Sequence, residues 1–415
     1  MNIGYVLSRY PLLSETFILR EMWERERAGH KVFVYPLRRV STGPQHERAR
    51  ALRAPVWVAP WLNWACHLRR LARHPRSYLA TLAAVIAGNL GDWNLLAGAV
   101  AYWNKAVAIA ECMQRDGIEL VHAHYATHPA MVAYVVERLT GIGYGFTAHA
   151  HDLYCHRAML GEKLARARSA ITISEFNRAY LERARAGRPP TRLTPIHVVH
   201  CGVEWSSYEP MARERWRRWR ETSAGTRLRL LAVGSLQPYK GHRHLLNACA
   251  KLRARGLRFE CRLIGEGRLR HQLERQIADL DLAGEVRLLG ARTESEVWDW
   301  LRWADVFAMP SVVDERTQQM EGIPVALMEA MAAGLGVVAT RLSGIPELVR
   351  SEHNGLLVSA GASIADELAA GIWRLRDAGL RERLGRAARQ TEGFDLETNV
   401  RRLESVLDAG IRVAA

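Results

Sequence analysis

Short apolar runs alternate with helical patterns along the first half of the chain. The runs are NIGYVLS from Asn2, KVFVYPL from Lys31, LVHAHY from Leu120, GFTAHA from Gly145, AITIS from Ala170 and HVVHCGV from His197, and the first helical segment runs from Glu15 to Ala28. Such alternation predicts a mostly parallel sheet with helices on both faces. After a polar, Trp/Arg-rich stretch from Glu204 to Thr226 the pattern restarts with LRLLAVGS, RFECRLIGEG, EVRLLG, DVFAMPS and LGVVATRL. The expected class is therefore α/β, with two doubly wound domains in tandem over 1–205 and 206–393. A last helical stretch, Leu396 to Ile411 within 394–415, is expected to pack back on the first domain.

Open parallel sheets bind ligands beyond the carboxyl ends of their strands. The chemically interesting residues do follow strands: His149 and Asp152 after GFTA, Ser235 to Gly241 after LLAV, Gly265 to Gly267 after CRLI, and Ser311 to Glu321 after DVFAMP. Two such sheets are expected to face each other across a cleft.

Length and charge narrow the partners. At 415 residues the chain exceeds one ordinary core, and a formal charge of +15 admits nucleic acid, an anionic membrane or phosphate-bearing substrates. The arginines are spread through helical segments without a zinc-finger, RNP-like or KH pattern, so nucleic acid is not expected. Cys66, Cys112, Cys155, Cys201, Cys249 and Cys261 form no CxxC pair and read as reduced thiols. MNIGYVLSRY reads as a strand and not as a signal peptide, which makes a cytoplasmic protein the expectation.

The apolar stretch from Tyr78 to Gly88 is too short to cross a bilayer. Between Trp57 and Trp103, however, Trp61, Trp64 and Trp93 interleave with Arg69, Arg70, Arg73 and Arg76. Such a region suits the surface of an anionic membrane. It equally suits helices packed on the N-terminal domain with a basic outer face.

The most informative segment is EGIPVALMEAMAAGLGVVATRLSGIPELV from Glu321. Glu321 and Glu329 stand two turns apart if Glu321 ends the loop and Glu329 lies on the following helix. Gly322, Ile323, Pro324 and Val325 would open that helix, where unpaired N–H groups and the positive dipole end favour a phosphate. Carboxylates that accept from sugar hydroxyls, next to amides that hold a diphosphate, suit a nucleotide sugar.

Here the chain resembles glycosyltransferase family 4, whose E-x7-E signature and following stretch appear as Glu321, Glu329, Ala330, Gly334, Val337, Val338, Ala339 and Thr340. In VGSLQPYKGHRHLL, Gly234, Lys240 and Gly241 match the family's phosphate-binding loop, and IGEG brings Gly265 and Glu266. SRYPLLSETFILRE, HAHYATHPA, FTAHAHD and ITISEFNR resemble the branch that builds exopolysaccharides of the colanic-acid type. The resemblance implies the GT-B arrangement of two Rossmann-like domains, with donor contacts from Gly234, Ser235, Lys240, Gly265, Glu266, Gly322 to Val325 and Glu329. It departs from the pattern at Ser235, where many members carry an arginine, so that Lys240 bears more of the diphosphate charge, with Arg243 or Arg316 as helpers.

The resemblance also implies that His149 hydrogen-bonds a donor sugar hydroxyl, so His149, Glu321 and Lys240 are the expected catalytic residues. Ser14, Glu15, Thr16 and Asp152 are candidates for the phosphate or acceptor side; for Ser14 an ordinary helix cap is the alternative. The implied reaction keeps the anomeric configuration and moves a hexosyl group from a UDP- or GDP-linked sugar to a glycan or polyprenyl-linked glycan. No metal and no separate cofactor are expected. His122, His124 and His128 are not read as metal ligands, the Asp279/Asp281 D-x-D is read as a solvated helix end, and Gly141, Gly143 and Gly145 precede a strand, the wrong context for a dinucleotide fingerprint. A sugar-nucleotide epimerase or hydrolase of the same fold, or a catalytically silent partner in a polysaccharide assembly, are the competing readings.

Overall fold

The computed structural model describes residues 1–11, 16–40, 52–91, 93–154, 157–185, 194–221 and 225–412, and for residues 16, 17, 151 and 408–412 it describes the backbone alone. The chain divides into two compact units, residues 1–199 with the chain from Val400 onward, and His200–Asn399.

The first unit holds a six-stranded sheet in the order β2-β1-β3-β4-β5-β6, formed by β1 (Asn2–Tyr10), β2 (Lys31–Arg39), β3 (Leu120–His124), β4 (Tyr144–Ala148), β5 (Ser169–Thr172) and β6 (Ile196–Val198). Its neighbouring strands pair in parallel. Every residue of β3 and β4 is buried, as expected of strands covered by helices on both faces. The helix Leu396–Arg412 places Leu403, Val406 and Leu407 on Leu120, Ile171 and Val199 of this unit.

The second unit repeats the plan in the order β12-β11-β10-β7-β8-β9 with β7 (Leu228–Val233), β8 (Phe259–Ile264), β9 (Val286–Gly290), β10 (Val306–Met309), β11 (Gly336–Thr340) and β12 (Leu356–Val358). β12 is absent from the sequence expectation, because three residues are too few to show a period. The polar stretch before β7 is largely the helix Glu209–Glu221. From it the fully buried Arg215 donates to the carbonyls of Leu301, Ala304 and Ala333, which end the helices Glu294–Trp303 and Val325–Ala332. One guanidinium thus satisfies carbonyls that lack an intrahelical partner.

One helix of the first unit is inside out. In Trp64–Arg73, Trp64, Leu68 and Leu71 recur at helical spacing, yet they are 71, 66 and 39 % exposed. Arg70, on the other side, is 7 % exposed and donates to the Leu139 carbonyl at 3.0 Å. Among the described residues, eleven of the twelve exposed large hydrophobic side chains fall between Val56 and Val100. No described helix is long and apolar enough to cross a membrane. Cys66, Cys112, Cys201, Cys249 and Cys261 are free thiols, and Cys155 lies outside the described residues.

Candidate active site

In the second unit three strand ends and their loops are sewn together by backbone. After β7 the chain turns at Gly234, passes a 3-10 turn at Pro238–Lys240, and enters the helix His242–Ala254 through Gly241 at φ 67°. A Cβ on Gly241 would stand 1.8 Å from the Pro310 carbonyl oxygen, so only glycine fits both the left-handed turn and the contact. The Gly234 N–H donates to Ile264, the Leu236 N–H to Glu266, and the Val312 N–H to the Tyr239 carbonyl, which ties β7, β8 and β10 at their carboxyl ends. Gly265, φ 145°, would with a Cβ strike the Gly234 carbonyl at 2.0 Å. The glycines of IGEG therefore permit the close approach of two loops.

Gly234 also lets the Lys240 stem cross it, since a Cβ there would lie 3.2 Å from Lys240 Cδ. The Lys240 ammonium ion-pairs with Glu321 Oε2, and the two side chains are only 13 and 15 % exposed. Burial pulls the Lys240 pKa down, but the facing Glu321 carboxylate outweighs it and holds the ammonium above its ordinary value. A lysine that stays charged in a nearly buried place is suited to an anionic ligand.

Glu321 ends the loop, Gly322, Ile323 and Pro324 are buried, and Pro324 caps the helix Val325–Ala332 that carries the half-buried Glu329. Leu327, Met328 and Met331 anchor that helix in the core. Sequence reasoning missed His242 here. It is 2 % exposed, and burial together with the Lys240 charge lowers its pKa to about 4. Glu266 ion-pairs with Arg270. Asp281 is 92 % exposed and pairs with Arg253, a solvated position.

In the first unit His149 follows β4 and is held at three points. Its N–H donates to Asp152 Oδ1 at 3.0 Å, its carbonyl accepts from Asn177 Nδ2, and its Nε2 lies 3.2 Å from His124 Nδ1. Asp152, 2 % exposed, also accepts from the Ala126 N–H at 2.7 Å. Its carboxylate thus joins the loops after β3 and β4; burial raises its pKa although these N–H groups oppose the rise. Tyr125, at φ 79°, lays its ring 5.0 Å from that of His149. A tyrosine in the left-handed region is uncommon and is held here by its neighbours.

Behind His149 stands a cluster the motifs did not announce. The Tyr5 hydroxyl donates to Glu21 Oε1 at 2.8 Å, His124 Nε2 lies 3.3 Å from Glu21 Oε2, and His122 Nε2 lies 3.0 Å from Thr147 Oγ1. Burial alone would raise the Glu21 pKa; His124, His122 and Arg25 together bring it to about 2. The signal was present as Glu21 and Arg25, one turn apart on the same buried face as Ile18 and Met22. ITISEFNR likewise proves to serve His149 through Asn177. Ser14 and Glu15 lie outside the described residues, and only the backbone of Thr16, the first residue of its helix, is described.

Comparison with known proteins adds one family match, two relatives and two solved structures. The family described as glycosyl transferases group 1 matches residues 214–391. A putative colanic acid biosynthesis glycosyltransferase, WcaL of Salmonella typhimurium, is 28 % identical over 377 residues, 86 % of this chain and 87 % of that protein. The amylovoran biosynthesis glycosyltransferase AmsK of Erwinia amylovora is 45 % identical over 180 residues, 43 % of this chain and 42 % of its own. Among solved structures, Anabaena Alr3699/HepE in complex with UDP-glucose superposes with a TM-score of 0.67 at 18 % identity, covering 99 % of this chain and 100 % of that one. A glycosyltransferase from Rickettsia africae gives 0.68 at 16 % identity, covering 99 and 98 %. At such identities the likeness is one of fold.

Proposed function

We propose, from the premise that this chain is a glycosyltransferase with a group 1 domain over residues 214–391, that it moves a hexosyl group from a UDP- or GDP-linked sugar to a glycan or polyprenyl-linked glycan. The observation that carries the reading is the Lys240–Glu321 pair, a charged lysine kept nearly buried beside a glycine turn and a helix start. A diphosphate would take the ammonium and nearby amides as donors, and Glu321 and Glu329 would accept from sugar and ribose hydroxyls. His149 would meet a sugar hydroxyl. The colanic acid and amylovoran relatives support a place in exopolysaccharide biosynthesis, and the neighbour solved with UDP-glucose supports a nucleotide-sugar donor.

The transfer keeps the anomeric configuration and needs no metal in this reading. The leaving diphosphate takes the acceptor's proton on the same face of the sugar, and Lys240 with the helix amides stabilises the charge that develops on it. A thermal-shift screen of nucleotide sugars tests the donor, because a ligand of the folded state raises its stability. The expected hit raises the transition in the native chain and not in Lys240→Ala. If no nucleoside diphosphate or its sugar shifts either protein, the donor reading is wrong. Product NMR and turnover in EDTA test retention and metal independence.

The same reading places the protein in the cytoplasm, peripheral on the inner face of the plasma membrane. Its support is the inside-out helix Trp64–Arg73 and its neighbours. Trp61, Leu62 and Trp93 are 50, 70 and 82 % exposed, Arg73 and Arg76 are exposed beside them, and Asp92 is the one acidic residue between Leu52 and Ala110. Apolar side chains that enter the acyl boundary, ringed by cations, suit anionic lipid. Co-sedimentation with phosphatidylglycerol vesicles should be lost in Trp64→Ser/Leu68→Ser. Equal binding by that variant, or by phosphatidylcholine vesicles, would defeat the assignment.

A further inference from the structure

We propose that the second unit carries a second anion site, at the amino ends of its strands, built for a compact oligophosphate such as a nucleoside triphosphate or inorganic polyphosphate. It lies at the edge of the sheet opposite the donor loops and does not depend on the donor reading.

A cavity of about 840 Å³ opens there, in the size range of small-molecule sites. Its lining comes from the stretches that lead into β7, β8 and β10 and from the junction between the helices Ile364–Arg374 and Ala378–Arg389. Seven of the lining side chains are guanidinium groups and two are carboxylates. Both carboxylates are committed to the protein. Asp305 accepts from Arg218 Nη2 at 2.8 Å, from Trp219 Nε1 at 2.7 Å and from the Arg229 N–H at 3.1 Å, and Asp377 accepts from the Leu380 N–H at 2.6 Å. Arg227 and Arg374 pair with Glu260 and Glu352, which do not line the cavity. Among the described residues, Arg229, Arg258, Arg376 and Arg381 make no ion pair with a carboxylate.

Elsewhere in this unit arginines are matched by carboxylates: Arg270 lies between Glu266 and Glu274, and Arg386 pairs with Glu382. In the cavity the guanidinium groups are fixed by partners that leave their charge intact. Arg376 lies 3.9 Å from the Trp373 ring centroid, Arg255 lies 4.2 Å from the same centroid, and Arg381 lies 4.8 Å from that of Trp219. Arg381, 4 % exposed, donates Nη1 to the Leu375 and Arg376 carbonyls at 2.6 and 2.9 Å, while its Nε has no hydrogen-bond partner. Arg258 donates to the Gly225 carbonyl. Gathering like charges around one cavity costs free energy, and a bound polyanion offsets it. Guanidinium forks match phosphate oxygens two at a time, and the helix Ala378–Arg389 adds the positive end of its dipole. Such an array calls for dense negative charge, which an oligophosphate has and a glycan with one carboxylate per sugar lacks.

The test is isothermal titration calorimetry on the full chain carrying Lys240→Ala, which removes the ammonium of the donor loop. Inorganic triphosphate should bind saturably at one site per chain, more weakly as salt is raised. Adding Arg258→Glu/Arg376→Glu should weaken that binding by about tenfold or more, with the unliganded melting temperature of each variant reporting its folding. If the reversed charges prevent folding, Arg376→Ala alone should weaken binding in the same direction. Adenosine and guanosine triphosphates separate the sources: tighter binding of either than of inorganic triphosphate assigns a nucleotide, and otherwise the ligand is inorganic polyphosphate. No saturable binding, binding that the folded cavity variants leave unchanged, or equally tight binding of a uronic acid oligosaccharide of the same charge would each overturn the proposal.

Discussion

The carboxyl edges of the two sheets share one topology and opposite electrostatics. The edge of the second sheet holds a charged lysine against a carboxylate, fastened by glycines that let loops touch backbone to backbone. The edge of the first holds His122 and His149, which burial keeps from protonation, near one buried carboxylate, fastened by side chains that bond to main chain. Charge is kept where a diphosphate would need it, and neutral hydrogen-bonding groups are kept where only hydroxyls would be met. In the proposed function the same fold would supply two kinds of recognition, according to which side chains follow the strands.

That contrast is broken most sharply at Lys240. Lys240→Ala should lower kcat about a thousandfold, the size of a lost donor to a developing anion, and steady-state turnover checks it. A loss below tenfold would mean that the lysine is a structural partner of Glu321. Next in size, Gly241→Ala should destabilise the fold by about 3 kcal/mol or more, because the added carbon meets the Pro310 carbonyl in a backbone conformation that disfavours it. Urea denaturation reads that cost. His149→Ala should follow, with kcat reduced about a hundredfold and donor-induced thermal shifts largely retained, since it removes no charge.

The smallest effect separates the edges by pH. His122 has a folded pKa of about 3, lowered by burial against the pull of Glu21. Its contribution to stability is complete above the unfolded value near 6.5 and is lost as pH falls toward 3, since only the unfolded chain takes up the proton in that window. Glu21, at about 2, adds a loss of the same sign below about 4.5. The raised carboxyl of Asp152 works against this slope, and in the second unit His242, at about 4, contributes a similar loss over a narrower range. Hydrogen exchange at pH 7 and pH 3.5, the latter between the folded values of His122 and His242, should show amide protection of β3 and β4 falling further than that of β7 and β10, and His122→Asn should flatten the difference. Equal protection at both pH values would remove the electrostatic distinction.

How much was legible depended on the range of the interaction. Apolar runs such as LLAV and VVAT announce buried parallel strands because burial on both faces needs continuous apolar side chains. The spacing of Glu321 and Glu329 could be read because a loop and the helix that follows it are contiguous in the chain, whereas the ion pair of Lys240 with Glu321 joins separate loops and could not. The inside-out helix was harder. Its composition suggested a surface, but only tertiary contacts show that Arg70 turns inward and Trp64 outward, since periodicity gives a stripe without saying which way it faces.

The sequence by itself determined the doubly wound pattern, the family likeness and the strand ends where chemistry would collect, all of which are local in the chain. Only the tertiary structure decided that Glu21, His124 and His149 form one line, that Asn177 reaches the His149 carbonyl, and that the glycines of IGEG exist to let Gly234 come close. These depend on side chains and backbones from segments up to 128 residues apart meeting in space, and the sheet order that brings them together is set by packing, which no local pattern encodes.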